Sequence, residues 1–142
     1  MLLSDHREHR KNVRLISRTK IASVGAGQII VDKGTAYIAH LCDEGVTLVD
    51  VRNPYAPKVL SKIGAPLKGH SHKVQVSGNI MIVNNERYKQ YQPWVAGVRI
   101  YDVSSRDNPT EIGFFETKGK GVHRMWFVDG QFAHITATAE GY

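Results

Sequence analysis

Short hydrophobic segments follow one another along the chain, and glycine, proline, asparagine and aspartate separate them. Residues 36–39, 80–83 and 132–135 are three such segments, and each comes shortly after a glycine-containing turn signal. Val, Ile, Tyr and Phe are frequent in the segments, as expected for strands joined by tight turns. No window of eleven or more residues has the 3.6-residue period of an amphipathic helix. The pattern predicts an all-β protein.

The strand pattern is repeated along the chain. Gly-Val-Thr-Leu-Val-Asp-Val at residues 45–51 matches Gly-Val-Arg-Ile-Tyr-Asp-Val at residues 97–103, and Pro57 and Pro109 follow the two copies in register. Each copy predicts four strands: a hairpin, a third strand led by glycine, and a fourth strand after the proline. An outer edge strand tolerates proline at its start because its N–H groups face solvent.

Four strands in every 44 to 52 residues or so are typical of a β-propeller blade. We predict about two and a half blades of four-stranded antiparallel sheet, with residues 27–71 and 72–121 as blades and residues 122–142 as a partial blade. Residues 1–26 are predicted to be a basic segment with an outer strand of a preceding blade near residues 13–16. Because such a ring is incomplete, we expect a fragment of a longer protein or chains that complete one another's blades.

The net charge of +6 is concentrated near the N-terminus, where residues 6–20 contain eight of the basic side chains against Glu8 alone. A solvated basic segment explains this distribution better than a nucleic-acid partner. The lone cysteine, Cys42, cannot form an internal disulfide, and no segment reaches the ~20 apolar residues of a membrane span. With no signal peptide visible, the chain as given is expected to be cytoplasmic, or extracytoplasmic if it is a fragment.

The third-strand segments resemble the LVIVD repeat, through Val-Thr-Leu-Val-Asp-Val at residues 46–51 and Val-Arg-Ile-Tyr-Asp-Val at residues 98–103 with their following prolines. Gly-Thr-Ala-Tyr-Ile-Ala-His at residues 34–40 is similar to the opening of such repeats, so the resemblance covers roughly residues 27–142. LVIVD-repeat proteins are bacterial and archaeal β-propellers, often surface-associated or of unknown function. They are distantly similar to selenium-binding and methanethiol-oxidase propellers, in which histidines near the channel hold a metal. This chain is much shorter than a whole propeller of that kind.

His70 and His72 are the strongest candidates for a site. Side chains alternate along a strand, so a His-x-His pair presents both imidazoles on one face, which provides half of a site for zinc, copper or iron. His123 occupies the corresponding place one repeat later. With these three histidines, a metal site would lie at the mouth of the propeller channel.

The alignment of the repeats bears on this site. When Gly34, Gly78 and Gly130 are aligned, Arg124 becomes the equivalent of His72, so that His123 faces away from it in a regular strand. A one-residue bulge would return His123 to the same face. Three interpretations stay open: a metal site, a metal-free ligand pocket that includes Arg124, or histidines that bond to the backbone at a strand entrance.

Aromatic residues mark a longer loop at residues 84–94. Tyr88, Tyr91 and Trp94 provide faces on which a ligand or partner could stack, or they pack against their own blade. The catalytic residues, if any, are unknown. We therefore expect a propeller module with a binding or scaffolding role that self-associates or belongs to a longer chain, with a small-molecule ligand possible. The alternative is a metal-dependent oxidoreductase or hydrolase.

Overall fold

The computed structural model describes residues 11–42, 44–65, 69–87 and 95–137. These residues form eleven strands and no helix, so the all-β prediction is confirmed. They accordingly contain no helix that is long and apolar enough to cross a bilayer. The strands are β1 (Ala26–Asp32), β2 (Thr35–His40), β3 (Val46–Asp50), β4 (Lys58–Ile63), β5 (Gly69–His70), β6 (Val74–Ser77), β7 (Ile80–Arg87), β8 (Ala96–Asp102), β9 (Thr110–Thr117), β10 (Val122–Trp126) and β11 (His134–Ala137).

The first sheet consists of β1 to β4 in sequential order, and every neighbouring pair is antiparallel. Lys33 and Gly34 form the two-residue turn of its first hairpin, with φ angles of 46° and 76°. Two positive φ angles are characteristic of the type I′ turn, whose twist matches that of the flanking strands. Gly34 is therefore the second residue of the turn.

The second sheet repeats this arrangement with β6 to β9, and β5 pairs with the far end of β7. Its first hairpin turns at Gly78 and Asn79, because Ser77 pairs with Ile80. Gly78, with φ of 62°, is therefore the first residue of its turn. The sequence alignment of Gly34 with Gly78 is wrong by one residue, since glycine tolerates either position of a two-residue turn.

The third sheet consists of β10 and β11 alone within the part of the chain that the structure describes. Val122 pairs with Ala137 and Arg124 with Thr136, which leaves His123 as an extra residue in β10. An equivalent bulge occurs in β1, where Ala26 pairs with His40 and Gln28 with Ala39.

Two hydrophobic cores lie between the sheets. Tyr37 and Leu48 of the first sheet pack against Met81 and Tyr101 of the second in the larger core. The smaller core joins the second sheet to the third, with Ile82 and Val98 packed against Val122 and Phe127. The outer face of the first sheet is covered in part by Ile21 from the N-terminal segment.

Residues 11–24 contain no strand. Val13, Leu15 and Ile16, in the region predicted as an outer strand of a preceding blade, are 72%, 59% and 41% exposed. No described strand pairs with them, so their place in a sheet stays a prediction.

Candidate metal site

Three side chains meet where the chain enters the second sheet. His70 ends β5 and pairs with Glu86 on β7. His72 follows in the link between β5 and β6, so that the His-x-His segment lies beside the end of β7. Strand pairing thus brings a carboxylate to two histidines that are sixteen and fourteen positions earlier in the sequence.

The ligand atoms of His70, His72 and Glu86 all lie within 4.8 Å of one another. The two imidazole rings are 4.1 Å apart between centroids and are tilted by 43°. The His72 Nδ1 atom is 3.8 Å from Oε2 of Glu86. Two imidazoles and one carboxylate therefore converge on one small volume.

His123 joins this group from the third sheet. Its position as the extra residue of the β10 bulge turns the ring towards the second sheet, 5.0 Å from the His72 ring between centroids. The His123 Nδ1 atom is 2.9 Å from Oε2 of Glu86, a hydrogen-bonding distance. The bulge that the sequence alignment required for convergence is present, and His123 contacts the carboxylate directly.

Two glycines allow the strands to come this close. A Cβ atom on Gly27, the extra residue of the β1 bulge, would lie 2.6 Å from the His72 carbonyl oxygen. A Cβ atom on Gly121 would lie 2.4 Å from the carbonyl oxygen of Asn85, and Gly121 has φ of 93°. Both contacts are shorter than any side chain tolerates, so backbone approach around the cluster depends on glycine.

Burial determines the charge state of the histidines. His72 is 5% exposed, and burial followed by the nearby charges of His70, Lys73 and His123 lowers the pKa of His72 to about 4. Burial also lowers the pKa of His70. Near neutral pH both imidazoles are therefore uncharged, and a neutral imidazole is the form that binds a metal ion.

Asn84 fixes the backbone around His72. Its side-chain amide donates to the carbonyl oxygen of Val122 at 2.8 Å and accepts from the backbone N–H of Lys73 at 2.8 Å. The same amide nitrogen is 3.4 Å from Nδ1 of His72. One buried side chain thus links the entry to the second sheet with the first strand of the third.

The spacing of the ligands fits a transition metal after a small adjustment. Zinc–nitrogen and zinc–oxygen bonds of about 2.0 to 2.2 Å place tetrahedral ligand atoms about 3.4 Å apart. Side-chain rotations that shorten separations of up to 4.8 Å by as much as about 1.4 Å would bring the three groups to this geometry. The three groups leave at least one coordination position for His123 or water.

The remaining candidate residues are Arg124 and three aromatic residues of the predicted loop. The side chain of Arg124 is exposed, while its backbone N–H donates to Oγ1 of Thr136 at 3.0 Å. Tyr88, Tyr91 and Trp94 lie outside the described residues.

The carboxylates that end the third strands cap the turns that follow them. Oδ1 of Asp50 accepts from the backbone N–H of Arg52 at 3.0 Å, and Oδ1 of Asp102 accepts from that of Ser104 at 2.8 Å. Hydrogen bonds from the Arg52 side chain lower the pKa of Asp50 to about 2. These aspartates have structural partners and take no part in the histidine cluster.

Glu86 is the residue that the sequence analysis missed. It was placed in the loop at residues 84–94, whereas β7 continues to Arg87. The β6–β7 hairpin contained a signal for it, because extending the pairing of Val74 with Val83 back along the strands places Glu86 beside the histidine segment. The pair of asparagines before Glu86 favoured a loop instead.

A comparison with protein families, curated proteins and solved structures finds no match for this chain.

Proposed function

We propose that this chain is a β-propeller module of the LVIVD type that binds a divalent transition-metal ion through His70, His72 and Glu86. The observation that carries the proposal is the convergence of these three ligand atoms within 4.8 Å. His123, 2.9 Å from Glu86, is either a fourth ligand or the residue that orients the carboxylate.

The chemistry of the group favours a transition metal over calcium or magnesium. Imidazole nitrogen binds zinc, copper and iron well, whereas calcium and magnesium prefer sites made of oxygen ligands. His72 has a pKa of about 4, so it gives up no proton when it binds a metal at neutral pH. Metal binding at neutral pH therefore requires no deprotonation of His72.

The sheet architecture supports the propeller part of the proposal. The first and second sheets have the same sequential antiparallel order, and each packs face to face on the next. Sheets that follow one another in this way are the arrangement of propeller blades. In a propeller the first strand of each blade lies nearest the central channel, which would place His72 and His123 beside it.

Metal binding is tested by isothermal titration of the purified 142-residue protein, without an affinity tag that binds metals, with Zn²⁺ and separately with Cu²⁺. We expect one ion per chain. His72→Ala and Glu86→Gln should each weaken binding by at least about 100-fold, since even residues that only orient a ligand contribute about 10- to 100-fold.

His134→Ala is the matched control, because His134 is exposed on β11 and lies outside the cluster. It should leave the affinity unchanged. Binding of much less than one ion per chain, or equal binding by His72→Ala and the unmodified protein, would contradict the metal site.

The metal-dependent enzyme remains the second candidate function, and it requires this metal site first. An open coordination position next to the His123–Glu86 pair would give a metal-bound water and a nearby proton acceptor, which hydrolysis needs. The observation in favour is the 2.9 Å contact between His123 and Glu86. Activity of the metal-loaded protein on model esters, lost in His123→Ala while the metal stays bound, would support this function over binding alone.

A further inference from the structure

Residues 14–19 have the sequence of a fourth strand. They read Arg-Leu-Ile-Ser-Arg-Thr, and β4, at residues 58–63, reads Lys-Val-Leu-Ser-Lys-Ile. Both segments begin with a basic residue, continue with two aliphatic residues and a serine, and have a second basic residue in fifth place. The N-terminal segment therefore repeats the strand that closes the first sheet.

The contacts of this segment repeat as well. Ser61 on β4 donates from Oγ to the carbonyl oxygen of Arg106 at 2.7 Å, and Ser17 donates from Oγ to the carbonyl oxygen of Pro54 at 2.6 Å. Pro54 and Arg106 are equivalent, because each follows by four positions the aspartate that ends its third strand. Residues 14–19 thus lie against the first sheet as β4 lies against the second.

Residues 14–19 differ from β4 because no described strand lies beside them in a sheet. Val59 of β4 pairs with Val49, whereas no described strand pairs with Leu15, and Leu15 is 59% exposed. A segment with exposed aliphatic side chains and no described strand beside it is a ready partner for another strand.

The opposite end of the molecule has the complementary gap. A groove of about 320 Å³ opens between the face of the second sheet and β11. Its lining is apolar and consists of Ile82, Val98, Ile100, Phe115, Ala133 and Ile135.

The junction between the first and second sheets shows what covers such a groove. Ile82 pairs with Ile100 as Tyr37 pairs with Leu48 in the first sheet. Tyr37 and Leu48 are fully buried, and the residues packed on them include Tyr101 on β8, the third strand of the second sheet. Within the described residues, no third or fourth strand of a following sheet covers the groove.

We propose that the N-terminal segment of a second copy of this chain completes the sheet that β10 and β11 begin. Residues 14–19 of that copy supply the fourth strand. This inference rests on the proposed blade architecture.

The number of copies follows from counting sheets. Each copy contributes its first and second sheets whole. It also contributes part of one sheet at each of its two contacts with the other copy, which amounts to one further sheet per copy. Two copies therefore form six sheets. Propellers have about four to eight blades, a range that includes two copies and excludes one or three. A head-to-tail contact of this kind closes when the rotation per copy completes the circle. We therefore expect a closed dimer.

Light scattering coupled to size exclusion, with EDTA present to prevent bridging by metal ions, tests the dimer. We expect about 31.8 kDa, twice the chain mass of 15.9 kDa. Leu15→Asp and Ala133→Asp lie on the two sides of the proposed contact between copies. Each variant should have a mass of 15.9 kDa and an unchanged β-sheet circular dichroism spectrum. Both residues are exposed in the single chain, so its own fold tolerates the charge.

Val59→Asp is the matched control, because Val59 has the place in β4 that Leu15 has in residues 14–19, within a sheet that is already complete. It should stay dimeric. An equimolar mixture of the Leu15→Asp and Ala133→Asp proteins contains one intact junction and should associate, although neither protein does so alone.

A mass of 15.9 kDa for the unmodified chain up to high micromolar concentration would overturn the self-completion. So would a dimer that persists in both Asp variants. Zinc titration of the same proteins after exchange into buffer without EDTA separates the two proposals: a monomer that binds zinc contradicts only the dimer, and a dimer that binds none contradicts only the metal site.

Discussion

The two junctions between the sheets bury equivalent residues to different extents. At the first junction, Leu48 is fully buried and Ile63 is half-buried. At the second junction, their equivalents are Ile100, which is half-buried, and Phe115, which is 57% exposed. The first and second sheets share the same order of four sequential strands, so the difference comes from the following sheet, which has five strands in one case and two described strands in the other. The outer strands of one sheet thus complete the core of the sheet before it.

The largest expected difference between the two junctions concerns Leu48 and its equivalent, Ile100. Leu48→Ala should lower the free energy of unfolding by about 3 to 4 kcal/mol, because it leaves a cavity in a closed core. Ile100→Ala should cost about 1 to 2 kcal/mol, since part of its side chain is already exposed. Urea unfolding of the monomeric Leu15→Asp form measures both. Equal losses of unfolding free energy would show that the second junction is as well packed as the first.

A close backbone approach at the first junction is at Gly27, whose equivalent in the third sheet is His123. Gly27→Ala would place a Cβ atom 2.6 Å from the His72 carbonyl oxygen, and we expect a loss of up to about 3 kcal/mol from overpacking. Gly64→Ala is the control, because no atom lies within 4 Å of a Cβ there. Differential scanning calorimetry should separate the two. Zinc affinity should also fall in Gly27→Ala, since the clash moves a ligand.

Acid should weaken the second junction more than the first. His72 has a pKa of about 4 in the folded chain against 6.5 when unfolded, so between these values the unfolded chain binds more protons and stability falls as the pH decreases. The metal-free protein should lose about 2 kcal/mol between pH 7 and pH 5 through this residue. Urea unfolding at the two pH values measures the loss, and His72→Gln should remove most of it.

Hydrogen exchange locates the effect of acid. We expect protection of β10 and β11 to fall at pH 5, after correction for the intrinsic rate, while β2 and β3 stay protected. Loss of protection in the first sheet as well would show that the histidines act on the whole molecule and not on one junction.

The smallest expected effect concerns Phe115, which is exposed at the second junction. Phe115→Ala should change the stability of the monomeric Leu15→Asp form by about 0.5 kcal/mol or less, because the ring is mostly in solvent. Ile63→Ala, at the equivalent place in the first junction, should lower the free energy of unfolding by about 1 to 2 kcal/mol. If a second copy covers the Phe115 ring, thermal unfolding of the proposed dimer should show that Phe115→Ala is more destabilising than Ile63→Ala.

Local signals in the sequence were sufficient for the four sequential strands of the first two sheets, although they did not predict β5. Alternation, glycine and proline predicted the four strands of each repeat, and the match of residues 45–51 with residues 97–103 gave the third strand, where Asp50 and Asp102 have the same capping role in the structure. These features depend on residues close to one another in the chain. They are therefore visible in a single sequence.

The register and the third ligand depend on partners that are distant in sequence. Gly34 and Gly78 are identical residues in different turn positions, and nothing within either hairpin alone reveals the shift. The strand at Glu86 extends past two asparagines because β5 on one side and Gly121 on the other pair with it. Extension of the β6–β7 pairing points to Glu86, but these two distant partners decide whether the strand continues that far.

The sequential strand order has a consequence for how the chain folds. Each strand of the first sheet pairs with the next one along the chain, and the connections between them are short. Closing short loops costs little entropy, and hairpins form within about 1 to 10 μs. Each sheet can therefore assemble by itself, and the slower step is the docking of one finished sheet on the next. Substitutions in the turns should then change the early rates, whereas substitutions at the junctions should mainly change the rate of unfolding.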